Sequence, residues 1–412
     1  MNAGRTSRRL DAAWLREGAL PRLLAILDRD GEEARIVGGA VRNALIGEPV
    51  HEYDIATTAV PDEVVRRVTA AGFKAVPTGV AHGTATVVIG KEPFEVTTHR
   101  QDVETYGRHA KVAFGRDWAG DAHRRDFTIN ALSVTADGAV HDYTGGLDDL
   151  AARRVRFIGE ARTRIEEDYL RILRFFRFHA AYGRGEPDRD GLHACIEGRA
   201  GLDQLSRERV RMETMKLLVA ARATSTLVAM SEVGLLLRVL GGVPYLAAFE
   251  MMTKLEAAAN VAPDAARRLG ALGVVTPEDA ERLWQRLRLT NAEHARLAAM
   301  GGTWPQLSPA HGEGAARAQL YRLKPAHYVD CTLLAWARSQ ASAHDEAWRA
   351  LVTLPQRWTA PVFPLKAADF IKRGLDKGPA LGAAMRAAEA AWVEADFPMD
   401  AAALDGIIAR AI

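Results

Sequence analysis

Two acids separated by one residue, Glu52 and Asp54 in GEPVHEYDIATTA, are a pair whose spacing suggests chemistry. On a β-strand alternate side chains point to one face, so the two carboxylates would stand side by side. Paired carboxylate oxygens can hold a hard divalent cation against a triphosphate, with a third acid in support. Glu95, in FEVTTHR, is a candidate for that third acid if its strand lies beside the first. An acid-x-acid pair also occurs by chance at a polar strand end, so the pair alone leaves both alternatives open.

Three further stretches could complete a nucleotide site. In IVGGAVRNALIG, Gly38 and Gly39 follow an apolar run and would let backbone N–H groups approach a phosphate, with Arg42 on the next helix to neutralise it. The pattern is neither a lysine-bearing phosphate loop nor a dinucleotide fingerprint, and a double-glycine turn is often only structural. In AHRRDFTINAL, Arg124 and Arg125 offer phosphate or base contacts. Asp126 and Asn130, four apart on an expected helix, would share a face and could bond a ribose, although Asp126 could equally be a helix cap. In RIEEDYLRILRFFRF, Asp168, Arg171 and Arg174 step at i, i+3 and i+6, and Glu167 stands four before Arg171. A surface salt-bridge ladder explains that spacing.

A fixed Asp–Arg pair also has a recognition use. Cytosine and adenine each present an amino donor beside a ring-nitrogen acceptor, whereas uracil and guanine present the reverse. An aspartate that accepts from the amino group and an arginine that donates to the ring nitrogen would therefore admit C and A and reject U and G. Side chains alone could choose a nucleotide without a template.

The elements that must position these residues are mixed α/β in the first ~150 residues. ARIV reads as a strand, VRNALI as a helix closed by Gly47, and YDIATT as a second strand. PDEVVRRVTAAGF reads as a helix with Pro61 at its start, and GTATVVIGKEPFEVTTHR as a hairpin turning at Gly90-Lys91. Residues 101–116 are polar and read as a mobile loop. From about Glu160 onward strand signals fade, and long Ala-, Leu- and Arg-rich windows predict helices. No internal repeat is present. The fold class expected is α+β, an N-terminal head with a small mixed sheet followed by an all-helical remainder.

Composition is that of an ordinary globular chain: 412 residues, 48% apolar and 26% charged. No apolar run approaches the ~20 residues of a membrane helix, and the charged, amphipathic N-terminus lacks the apolar core of a signal peptide. Cys195 and Cys331 are too few for a disulfide framework or a zinc site, so the expected compartment is the reducing cytoplasm. The formal charge of +2 hides nine arginines against four acids in residues 151–185, and four bases against two acids from Ser206 to Lys216. Such a stripe suits a polyanion held along one face, or a solvated helix. The His-Asp pairs at His141 and His344 lack ligand-spaced partners and read as loop and surface residues.

In order, GGAVRNALIG…EYDIATTA, PTGVAHGTATVV…FEVTTHR, RRDFTINAL and EEDYLRILRFFRF resemble the class II tRNA nucleotidyltransferase (CCA-adding enzyme) and bacterial poly(A) polymerase family. LSRERVRMETMKLL resembles its neck, and PLKAADFIKRGLDKGPALG its C-terminal element. The resemblance implies a nucleotidyltransferase head over 1–150, a neck with the base-reading segment over 151–220, a helical body over 221–300 and a tRNA-binding tail over 301–412. It implies Mg²⁺ on Glu52 and Asp54 with Glu95 in support. Gly38, Gly39 and Arg42 are implied at the triphosphate, and Arg125, Asp126 and Asn130 at the nucleotide. Asp168 and Arg171 are implied at the base edge, with Arg174 and Arg177 backing them or binding phosphate. Segment 101–116 matches the family's flexible loop. Two positions depart from the family: Glu52 and Asn43 each stand where aspartate is usual.

The function implied is template-independent addition of CCA to the 3′ end of tRNA from CTP and ATP, without a membrane partner. A poly(A) polymerase, or an enzyme adding only C or only A, is the alternative within the family. An inactive RNA-binding protein on the same fold is the alternative outside it.

Overall fold

The computed structural model describes residues 5–79, 83–106 and 109–412; residues 80–82 of the PTGVAHGTATVV stretch and 107–108 lie outside the described residues. The chain divides into two compact units, Met1–Leu205 and Ser206–Ile412.

The first unit is built on an eight-stranded sheet. Its elements begin with β1 (Arg5–Arg9), α1 (Ala19–Leu27), β2 (Ala34–Val37), α2 (Gly39–Ile46), β3 (Asp54–Thr57) and α3 (Pro61–Ala70). They continue with β4 (Lys74–Gly79), β5 (Thr84–Ile89), β6 (Glu92–Thr98), β7 (Arg100–Tyr106), β8 (His109–Phe114) and α4 (Trp118–His123). The unit closes with β9 (Ser133–Val134), β10 (Ala139–Asp142), α5 (Gly146–Ala151), α6 (Ala161–Glu167), α7 (Leu170–Tyr182) and α8 (Arg189–Gly198). The strand order is β1-β10-β9-β2-β3-β6-β5-β4. β3 and β6 run parallel, and the other neighbours antiparallel.

The first strands and helices of this unit each have a local cause. All four residues of β2 are buried, and β5 alternates buried with half-buried positions, as a strand with one covered face should. Gly38 and Gly47 bracket α2 at positive φ (72° and 76°), which side-chain-bearing residues rarely adopt. Leu20, Leu23, Leu24 and Leu27 bury one face of α1, and Val64 and Val68 one face of α3. Arg67 ties the two helices, donating to the carbonyls of Leu27 and Arg29 at 3.0 and 2.9 Å.

Among its described residues, segment 101–116 is mostly strand rather than loop. Its larger part is the two-stranded antiparallel ribbon β7–β8, separate from the main sheet. A polar sequence can form such a ribbon because the ladder is made by backbone groups, whatever the side chains. The small sheet expected is also larger than the four strands read from the sequence. β1, β4, β9 and β10 are short or polar and carry little periodic signal.

The second unit is helical throughout its described elements, beginning with α9 (Arg207–Leu218), α10 (Ala223–Glu232), α11 (Leu235–Leu240) and α12 (Leu246–Ala258). α13 (Ala265–Gly273), α14 (Pro277–Leu287), α15 (Asn291–Thr303) and α16 (Gly312–Arg338) follow, and shorter helices lead to Ile412. A buried ion network pins four of them. Arg267 of α13 bridges Glu256 of α12 and Asp330 of α16, each at 2.8 Å, and Arg296 of α15 also reaches Asp330. Such charges are tolerated in a core because every one is paired. Among the described residues no helix is long and apolar enough to cross a membrane.

Candidate active site

Strand register assembles the acids. Asp54 opens β3, pairs with Val37 of β2 on one side and with Glu95 of β6 on the other. Val37 runs directly into Gly38, so the glycine turn and the two carboxylates meet at the same end of the sheet. Glu52, two residues upstream, lines the same cleft of about 610 Å³ with Asp54 and Glu95, beside His51, Tyr53 and Trp14. The cleft walls push the Asp54 carboxyl above the usual carboxylate range; Arg125 pulls it down and the charge of Glu52 adds to the push. Carboxylate oxygens that share a cleft are donors of the kind a hard divalent cation takes. Among the described residues no three acids, histidines or cysteines converge tightly enough to hold a metal by themselves. The remaining ligands of such an ion would be phosphate oxygens and water, as is common where a polyphosphate is the substrate.

Arg125 lies over the glycine turn. Its Nη1 would be 3.3 Å from a Cβ built on Gly38, so a side chain there would crowd it. Asp121, buried in the first turn of α4, accepts from Arg125 Nε and Nη2 at 3.2 and 3.1 Å and also binds Arg124. Burial works to raise the Asp121 carboxyl, but Arg125 and Arg124 outweigh it and hold the group below its ordinary value. Asp121 is a positioning residue that the sequence analysis missed. Its signal was the i, i+3, i+4 spacing to Arg124 and Arg125.

The expected helix over Asp126 and Asn130 is absent. The chain leaves α4, extends through Phe127 and makes a single 3₁₀ turn at Thr128–Asn130. The two side chains still meet: Asn130 Nδ2 donates to Asp126 Oδ1 at 3.1 Å. Asp126 Oδ2 accepts from Arg174 Nε and Nη2 at 2.7 and 2.6 Å, joining this turn to α7.

Arg42, expected at the triphosphate, has its guanidinium occupied within the protein. It is buried and turned into the protein, where it donates to Asn43 Oδ1 at 2.9 Å, to Asn130 Oδ1, and to the Tyr182 hydroxyl at 2.7 Å. Its guanidinium lies 3.9 Å from the centre of the Tyr182 ring. Burial lowers its pKa from the usual arginine value. Arg42 thus ties α2, the 128–130 turn and the end of α7 together. Asn43 passes the link on, donating to the carbonyl of Pro49 at 3.0 Å just before Glu52.

Asp168 and Arg171 do not lie on one helix. Asp168 ends α6 in an extended conformation (φ −159°, ψ 104°) and its Oδ1 accepts from Leu170 N at 3.1 Å, at the break before α7. Arg171 donates to Glu167 and to the carbonyl of Arg164 at 2.7 Å. Burial works to raise the Glu167 carboxyl, but hydrogen bonds from Arg171 and Arg164 leave it lowered. The ladder of Arg164, Glu167 and Arg171 is therefore present, with Asp168 one residue away from it. Arg177 stacks on Phe178 at 4.1 Å. His141 and His344 carry no cluster: Asp142 accepts from the N–H groups of Thr144, Gly145, Gly146 and Leu147, and Asp345 caps the helix that follows it.

Comparison with known proteins agrees with this geometry. Residues 34–156 match the family described as "Poly A polymerase head domain", and residues 188–250 that described as "Probable RNA and SrmB-binding site of polymerase A". The chain is 35% identical over 388 residues to CCA tRNA nucleotidyltransferase 1, mitochondrial, of Danio rerio, covering 92% of this chain and 87% of that one. Against the protein of the same name from Homo sapiens it is 32% identical, with the same shares covered. Among solved structures, the Bacillus stearothermophilus CCA-adding enzyme in complex with CTP superposes with a TM-score of 0.73 at 27% identity, covering 94% of this chain and 96% of that one. With the head domain matched and identity extending over 92% of the chain, the chain belongs to the CCA tRNA nucleotidyltransferase family.

Proposed function

We propose that this chain is an RNA 3′-terminal nucleotidyltransferase that adds CCA to tRNA from CTP and ATP without a template. The observation that carries the reading is identity to CCA tRNA nucleotidyltransferases across 92% of the chain, together with carboxylates placed in register beside the glycine turn. The terminal hydroxyl of the tRNA attacks the α-phosphate in line and pyrophosphate leaves. Glu52 and Asp54 are the residues that would hold the divalent ion, read as Mg²⁺, with Glu95 supporting them. When bound, that ion supplies charge neutralisation on the triphosphate and eases ionisation of the attacking hydroxyl. Arg125 and the N–H groups of the Gly38-Gly39 turn orient the phosphates, and Asp121 keeps Arg125 in place. Asp126 and Asn130 receive the ribose side, fixed by Arg174 and Arg42. Arg42 serves as a positioning residue rather than a phosphate ligand.

Base selection falls to Asp168 and Arg171, with Arg171 exchanging Glu167 for the ring nitrogen of C or A. In this reading residues 1–150 do the chemistry, 151–220 select the base, and the helical regions 221–300 and 301–412 hold the acceptor arm through phosphate and shape. A reducing compartment, the cytoplasm, suits the two buried free thiols, Cys195 and Cys331. The relatives named above carry "mitochondrial" in their own names.

The test is purified protein with a divalent cation, a tRNA lacking CCA, and each nucleotide offered separately and together. Two C additions followed by one A are expected. Long A tails from ATP alone would make it a poly(A) polymerase, and no incorporation from any nucleotide would remove the enzyme reading.

A further inference from the structure

The break between α6 and α7, where Asp168 sits, is shaped by a close backbone approach from the segment after α7. Glycines of that segment face side chains on both flanks of the break. A Cβ on Gly198 would stand 2.6 Å from Ile165 Cγ2, and one on Gly191 would stand 2.8 Å from Phe175 Cε2. At Gly201, buried in the 3₁₀ segment Arg199–Gln204, a Cβ would overlap the ring of Tyr169 at Cγ, Cδ1 and Cε1. These atoms are the root and flank of the ring, so no small swing of a flexible tip would clear the overlap.

Tyr169 is the one residue between Asp168 and α7. It already has helical angles (φ −61°, ψ −15°), while Asp168 is extended. Around it the backbone hydrogen bonds are local: Arg171 N to Asp168 O at 3.0 Å and Ile172 N to Tyr169 O at 3.1 Å. Ile165 and Phe175 are held by the core, being 1% and 0% exposed, whereas Tyr169 is half-buried with its ring against the Gly201 backbone. A ring crowded by a Cβ on Gly201 must either turn about its side-chain bonds or carry with it the peptide linking Asp168 to the first turn of α7, where Arg171 stands.

We infer that Gly201 is a positioning residue for base selection: it leaves room for the Tyr169 ring against its own backbone and so fixes Asp168 relative to Arg171. The inference rests on the reading that these two residues meet the base edge. It predicts that Gly201 matters only because of the ring it faces.

Four full-length proteins test this: wild type, Gly201→Ala, Tyr169→Ala and the double variant. The readouts are the ratio of kcat/KM for CTP over UTP on tRNA lacking CCA, and hydrogen exchange of the 168–171 amides, with thermal midpoints taken alongside. Gly201→Ala should lower C-over-U discrimination roughly 10-fold, the order expected when a positioning group shifts slightly, mainly through a higher KM for CTP. It should also speed exchange at Leu170. In the Tyr169→Ala background the same substitution should change neither readout. Equal losses in both backgrounds would overturn the inference, as would a lowered thermal midpoint with discrimination and exchange at wild-type values. Asp168→Ala separates the underlying reading. If it leaves discrimination unchanged, the base-edge assignment fails, and the exchange data then decide Gly201 alone: faster exchange abolished by Tyr169→Ala keeps the contact as the holder of the turn, and unchanged exchange removes it.

Discussion

Asp54 and Glu95 face each other across the parallel pairing of β3 with β6, one residue from the glycine turn that follows β2. Neighbouring strands are only about 4.8 Å apart, so two carboxylates in that register repel unless a cation or a proton separates them. A third acid, Glu52, shares the cleft. A cation held between them, as proposed above, would relieve that repulsion.

Asp54→Asn should therefore abolish nucleotide addition, by roughly 10³-fold or more, while stabilising the metal-free protein. The sign follows from linkage. The Asp54 carboxyl is raised in the folded state, so between its unfolded and folded values the native protein binds more protons and stability falls as pH rises. Above the folded value the full cost is present, and the asparagine variant lacks it. The variant's thermal midpoint should exceed that of wild type at neutral pH, and the difference should vanish below the unfolded carboxyl value of about 3.9. A divalent cation should raise the midpoint of wild type and leave that of Asp54→Asn unmoved. A variant less stable than wild type at neutral pH would contradict this account.

Glu52 is longer by one methylene than the aspartate usual in the resembled family, and it lies outside β3. Glu52→Asp should keep most activity. Glu52→Ala should raise the Mg²⁺ concentration for half-maximal rate by roughly 10- to 100-fold, the scale of lost support around a metal. Because the charge of Glu52 adds to the raising of Asp54, the alanine variant should also move the acid limb of the pH–rate profile to lower pH. Magnesium titrations at two pH values read both effects. An unchanged magnesium requirement in Glu52→Ala would place Glu52 outside the metal's reach.

Much of this site was legible in the sequence, for identifiable reasons. The Gly38 turn, β3 and the β5–β6 hairpin are set by local chemistry: positive φ, β-branched alternation and a two-residue turn. The meeting of Asp54 with Glu95 could be anticipated because both lie on strands. Arg42 could not be placed, because its burial is decided by Tyr182, 140 residues away. The break at Asp168 was hidden for a similar reason. Helical periodicity runs through EEDYLRILRFFRF unbroken, and only the extended backbone of Asp168 shows where the helix stops. The β7–β8 ribbon was missed because its ladder of backbone bonds leaves little apolar pattern.

Arg42→Lys separates a phosphate ligand from a structural tie. Lysine keeps the charge but cannot reach Asn43, Asn130 and Tyr182 from one planar group. Losing these bonds in a buried place should cost about 3 kcal/mol of stability in the first unit. Denaturant unfolding should show the loss, and addition at low temperature should keep a near-normal KM for the triphosphate. A large rise in that KM with stability intact would return Arg42 to the phosphates.

Glu167 holds Arg171 in the structure, and Arg171 is the group assigned to the ring nitrogen of C and A. If Arg171 must leave Glu167 to meet a base, the carboxylate competes with the nucleotide. The competition is limited, because the pair is partly exposed and such pairs are worth roughly 0.2–1 kcal/mol. Glu167→Gln keeps the shape and removes the charge, so the KM for CTP and for ATP should fall by about 1.4- to five-fold, the factor those energies convert to. UTP and GTP should remain excluded, because Asp168 is untouched. The carboxyl of Glu167 is lowered by Arg171 and Arg164 against the effect of burial, so its grip on Arg171 persists down to pH values below its ordinary range. Wild type and variant should therefore differ in KM across the neutral range and converge only on acidification, provided the site acids still work there. Steady-state kinetics of single-nucleotide addition at two pH values measure this. A higher KM in Glu167→Gln would instead show that Glu167 holds Arg171 in its working position, and that the ion pair of this structure is the one that meets the base.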